Sequence, residues 1–151
     1  PPADDAFRRE FLRQFFAVYA KRLSQAQLDR VASTPYACTP FVLKTMAREL
    51  IVFGRHELLD EKIDALTGHN DEDALFDYLV ESAAKVFDRD DFREVLREVF
   101  KNEGKSRTEI TEYMIDEEIR LLDNYPGFDN RNGNIYFAHP LYRSAAQRFI
   151  S

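Results

Sequence analysis

Tryptophan is absent from this chain of 151 residues, and cysteine occurs once, at Cys38. A single thiol forms no internal disulfide, which excludes stapled secreted scaffolds and fits a reducing, cytoplasmic setting. Glycine and proline are scarce, at five and six residues, so low-complexity linkers and collagen-like repeats are excluded as well. No run of Lys and Arg occurs, and the formal charge is −6 with a pI near 5.1. Nucleic acid and anionic membranes both require clustered cations, so neither is an expected partner. The sequence also lacks a charged-then-apolar leader and any apolar run of the roughly 20 residues that span a bilayer. It opens at Pro1-Pro2 rather than Met, and the expectation is an excised piece of a longer protein with a region upstream.

What is present is core-forming material: 44% hydrophobic residues, with 13 Phe and 7 Tyr supplying large buried areas. Phe7, Phe11, Phe15 and Tyr19 recur every four residues with Leu12 and Phe16 beside them, which predicts a helix with one strongly apolar face, capped by Asp4 or Asp5. Ser24 and Gln27 have capping-box spacing ahead of Leu28 and Val31. Thr39 is placed as an N-cap before Pro40, whose missing amide hydrogen costs nothing at the first helical position. That helix is predicted to run to Phe53 and stop at Gly54. Leu58 to Leu66 predict a fourth helix ending at Gly68, and Asp71 and Asp73 start a fifth that buries Leu75, Phe76, Leu79, Val80 and Ala83.

The acidic stretch Asp88 to Asp91 separates two helical patterns and is read as the domain limit, giving a helical lid domain over 1–87 and a second domain over 88–151. In the second, Phe92 to Phe100 predict one helix, Ser106 and Glu109 open a short one, and Asp116 to Leu122 carry a third. Asn132-Gly133 between Phe128 and the Ile135-Tyr136-Phe137 run is a hairpin signal, because both residues tolerate positive φ. A last helix starts at Pro140 and buries Leu141, Ala145 and Phe149. Three helices and a hairpin are in winged-helix order, so the expected fold class is mainly α, a helical bundle followed by a winged-helix domain.

Few residues offer chemistry. Gly104-Lys105-Ser106 hints at a phosphate cradle, but a P-loop requires a glycine where Val99 stands inside an apolar helix. Without that loop no phosphoryl-transfer site can be assembled within the chain, and no catalytic residue is assigned. Gly104 reads instead as a helix stop and Ser106 as an N-cap. His56 and His69 have no second ligand at metal spacing, so no metal site is assigned and both are expected on the surface. Cys38 has no His and acid partner and is expected to pack beside Pro40.

Two stretches resemble a known family. Tyr19-Ala20-Lys21-Arg22-Leu23-Ser24, Thr39-Pro40-Phe41-Val42-Leu43-Lys44 and Glu49-Leu50-Ile51-Val52-Phe53-Gly54 look like the lid region, and Phe137-Ala138-His139 before a helix with Arg143 and Arg148 looks like the winged-helix end, of the ATPase module in NACHT-type STAND proteins. These are signal-transducing ATPases whose members include innate immune receptors. The resemblance runs from about Phe7 to Ile150. It implies that Pro40 packs near the adenine and ribose of a bound nucleotide, and that His139 contacts the β-phosphate of ADP in the closed state. The chain departs from the family pattern at Thr39, where Asn or Gly is usual, and at Ala138 and Pro140, where the motif has Met and Asp.

The resemblance thus implies a regulatory fragment, not itself an enzyme, that closes over ADP or ATP held by an upstream P-loop domain of the same protein and opens into a homo-oligomerising form. Two other readings come from different classes. A winged-helix nucleic-acid adaptor would send the Asp116–Asn124 helix into the major groove, but Asp116, Glu117, Glu118 and Asp123 outnumber Arg120 there and phosphates would repel them. A nucleotide-independent protein-interaction module would be marked by an exposed apolar groove.

Overall fold

A computed structural model of the chain describes residues 4–18, 23–53 and 56–151. The architecture is mainly helical with one small antiparallel hairpin near the C-terminus, as the sequence periods require. The chain divides into two compact units, Pro1–Leu75 and Phe76–Ser151. The division falls inside one helix; the limit expected at residues 87 and 88 lies further on, in the connection to the next helix.

The first unit holds α1 (Asp5–Val18), α2 (Gln25–Ala32), α3 (Pro40–Val52), a 3-10 turn (His56–Leu58), α4 (Leu59–Thr67) and the start of α5 (Glu72–Val86). Asp4 caps α1, its Oδ1 accepting from the Phe7 amide at 2.7 Å. The face of α1 that enters the core is Arg8, Leu12 and Phe16, all buried. The aromatic stripe beside it lies at the edge, with Phe7 47% exposed and Phe11 and Phe15 stacked at 5.9 Å. Tyr19 and Gly54 lie outside the described residues. Ser24 and Gln27 form the expected reciprocal capping box of α2.

The α2 C-terminus is closed by a distant residue. The buried Arg8 guanidinium donates from Nη1 to the carbonyls of Ala32 and Thr34 at 2.9 and 3.0 Å. Helix ends leave carbonyls unpaired and slightly negative, so a cation there satisfies both needs at once. Val42, Leu43, Met46 and Leu50 of α3 and Leu59, Ile63 and Leu66 of α4 complete this core.

The second unit contains the rest of α5, then α6 (Arg89–Asn102), α7 (Arg107–Thr111), α8 (Asp116–Asn124), β1 (Phe128–Arg131), β2 (Asn134–Phe137) and α9 (Pro140–Ile150). Asp88 caps α6, with Oδ1 accepting from the Asp91 amide at 2.9 Å. Phe92 is the centre of this core, edge-on to Tyr125 at 5.1 Å and to Phe149 at 5.6 Å. Arg107 grips Asp123 with two parallel bonds of 2.8 and 2.7 Å, tying the start of α7 to the end of α8. The hairpin turns at Asn132 and Gly133, with φ of 55° and 88°, and pairs Phe128 with Phe137 and Arg131 with Asn134. On α9 the buried positions are Tyr142, Ala145 and Ala146; Ala145 is as expected, while Leu141 and Phe149 are half-buried.

Gly104, Lys105 and Ser106 extend the hairpin. The Gly104 amide donates to the Ile135 carbonyl at 2.8 Å, the Ile135 amide to the Lys105 carbonyl at 3.0 Å, and Ser106 bridges Asn134. Gly104 makes this possible by turning out of α6 at φ +91°.

Candidate functional site

Pro40 and His139, the two residues singled out from the sequence, belong to different compact units, and each is described within its own. Pro40 is exposed at the first turn of α3, behind a Thr39 N-cap whose Oγ1 accepts from the Val42 amide at 3.3 Å. Cys38 is half-buried, and its thiol donates to the Pro35 carbonyl. His69 is half-buried rather than on the surface. Its Nε2 lies 2.8 Å from the Ala65 carbonyl, so that nitrogen is the donor, and its amide bonds the Tyr36 hydroxyl.

His139 is the N-cap of α9. Its backbone is extended, and Nδ1 accepts from the Leu141 amide at 3.1 Å. A nitrogen that accepts carries no proton, which assigns the neutral ring its N–H at Nε2. Pro40 and His139 are thus built by related local rules: a polar side chain caps a helix in one position and proline follows, at Thr39-Pro40 and at His139-Pro140.

The imidazole lines a cleft of about 230 Å³ together with Glu103, Arg131, Tyr136, Pro140 and Arg143. Glu103 is its organiser. One carboxylate oxygen accepts from the Phe137 amide at the end of β2 and the other from Arg143 Nε on α9, both at 3.0 Å. Arg143 also lies over the Phe100 ring at 4.8 Å. Across the cleft, Arg131 donates from Nε to Asp129 Oδ2 at 2.8 Å and lies over the Tyr136 ring at 4.8 Å.

Each arginine is therefore fixed by its Nε edge and an aromatic face, which orders a long side chain that would otherwise resist ordering. Two guanidinium groups, each paired with a carboxylate, thus share the cleft with the Glu103 carboxylate and the imidazole at the capped start of α9. His139 stands out in the sequence, whereas Glu103 and Arg131 do not. Arg131 had a signal, as the residue directly before a hairpin turn on the strand opposite the histidine. Glu103 had none, because a glutamate at a helix end reads as solvated. Among the described residues no group of three or more His, Cys, Asp or Glu side chains could hold a metal ion, and no helix is long and apolar enough to cross a membrane.

Comparison with known proteins gives one modest likeness. The chain is 26% identical over 87 residues to a TPR repeat-containing protein of Dictyostelium discoideum, a match that takes in 58% of the chain and 5% of that protein's length. No family model matches, and no solved structure matches.

Proposed function

We propose that this chain is the regulatory part of a NACHT-type nucleotide switch: a helical lid followed by a winged-helix module that closes over ADP bound by an upstream P-loop domain of the same protein. ATP then favours an open, oligomerising form. The observation that carries the reading is His139, whose Nδ1 is committed to capping α9 while its ring lines a cleft bordered by Arg131 and Arg143. An N–H donor held at a helix N-terminus beside two arginines is what a sensor of terminal phosphates requires. The backbone pairing of Gly104 to Ser106 with β2 gives additional support, because it places an extra extended segment between α6 and α7, as a winged helix has. The Dictyostelium relative is far longer than the matched stretch, which suits a module that works beside others.

The chain's part is to bias a two-state equilibrium by making phosphate contacts in one state only. It supplies no cradle for the nucleotide and no phosphoryl-transfer chemistry. The test is ADP dissociation from the full-length protein, followed with a fluorescent ADP analogue. His139→Ser keeps a capping acceptor and removes the ring N–H, so ADP release should quicken by about 10- to 100-fold, the loss of one hydrogen bond to a charged group. An unchanged release rate in a normally folded variant would make His139 a structural cap and remove the proposal's main support.

A further inference from the structure

We infer that the groove between the first turn of α6 and α8 receives an arginine or lysine side chain of a partner protein, a role separate from nucleotide sensing. The groove has a volume of about 180 Å³ and is lined by Phe87, Asp88, Asp91, Glu117, Arg120 and Leu121. Its floor is apolar. Leu121 is buried, and the half-buried Phe87 ring stacks on Phe92 at 6.2 Å with the planes 14° apart, so the floor is anchored to the core. Its rim is acidic, with three carboxylates against the one guanidinium of Arg120.

Those carboxylates are not consumed by internal pairing. Asp88 spends one oxygen on the Asp91 amide, while Asp91 and Glu117 make no ion pair among the described residues. Partial burial, and then the neighbouring Asp88, Glu117 and Asp90, push the Asp91 carboxyl above its ordinary range. Like charges held together in this way favour an added cation, against the opposing pull of the positive ends of α6 and α8 beside them. Apolar side chains stand exposed along the chain on both sides: Val86 next to Phe87 at 81%, and Tyr113 and Ile115 just before Glu117 at 91% and 52%. A hydrated metal ion would gain nothing from this apolar floor and fringe. A basic side chain lays its methylene stem on such a floor and presents its charge to the rim, and a partner segment that carries it can cover the fringe.

The probe is a capped peptide alternating leucine and arginine, titrated into the full chain and followed by amide chemical shifts. Shifts should cluster at Phe87, Asp88, Asp91, Glu117 and Leu121, and the same peptide with glutamate for arginine should produce none. The double substitution Asp91→Asn and Glu117→Gln should weaken binding about 10-fold or more, since two charge-assisted contacts are lost. Glu117→Lys, a reversal at an exposed position, should abolish it with the amide spectrum otherwise that of the folded chain. Binding unaffected by either variant, or shifts spread evenly over other acidic surfaces such as Asp60 and Glu61, would overturn the inference. So would self-association of the peptide-free chain that Glu117→Lys removes, because the groove would then belong to a second copy.

Discussion

Glu103 holds three elements together, and its removal gives the most quantitative test of how the cleft is built. It lies at the end of α6, accepts from the Phe137 amide that closes β2, and accepts from Arg143 on α9. In Glu103→Ala the Phe137 amide loses a charged acceptor at a half-buried site, at a cost of about 1.5–3 kcal/mol. The Arg143 ion pair has side chains 48% and 26% exposed, so screening limits its share to about 0.5 kcal/mol. A total of about 2–3.5 kcal/mol corresponds to a fall in melting temperature of roughly 5–10 °C for a chain of this size. Glu103→Gln keeps an oxygen acceptor without its charge and should lose about half as much. Arg143→Met removes the ion pair but leaves the amide bond, so it should cost under about 1 kcal/mol. Thermal unfolding of the three variants, with the Glu103→Ala, Arg143→Met double mutant closing the cycle, gives the values. If Arg143→Met destabilised as much as Glu103→Ala, the ion pair would be the main tie and the bond to the Phe137 amide secondary, contrary to this argument.

Arg8→Ala should cost about 3–5 kcal/mol in denaturant unfolding, because two buried carbonyls at the end of α2 lose their donor, and Arg8→Lys should recover only part of that. Glu49 should make stability pH-dependent: burial raises its carboxyl above the ordinary range, with Lys62 partly offsetting the shift. A folded-state value above the unfolded one contributes stability below the unfolded value and loses it as pH rises through the folded one. Glu49→Gln should therefore unfold at a higher temperature than the parent chain at about pH 7 and match it near pH 4. An advantage for the variant that grew on acidification would reverse the sign and refute the burial argument.

The helix caps were legible because each joins residues close in sequence. Ser24 with Gln27, Thr39 before Pro40, and Ser106 all cap the helices their spacing predicted, and Asn132-Gly133 turns the hairpin. Burial was less legible where two apolar stripes ran side by side. The apolar face predicted for α1 joined Phe7, Phe11 and Phe15 to Leu12 and Phe16; Leu12 and Phe16 are in the core, whereas the other three rings lie at its edge and Arg8 takes the remaining core position. The sequence gives no sign that an arginine belongs there, since its partners are carbonyls in another helix. The cleft shows the same limit. His139 and Pro140 are adjacent and announce a helix start, whereas Glu103 meets Phe137 and Arg143 only after α6, the hairpin and α9 have packed. Gly104 was read as a helix stop and is one, but its added role as a backbone partner of β2 depends on a long-range pairing.

The central claim is tested most directly by the structure of the full-length protein with ADP bound. The account predicts His139 Nε2 within hydrogen-bonding distance, about 2.7–3.2 Å, of a β-phosphate oxygen, and Pro40 packed against the adenine or ribose. Nucleotide bound with the imidazole turned away from every phosphate oxygen, and with Pro40 in solvent, would contradict it.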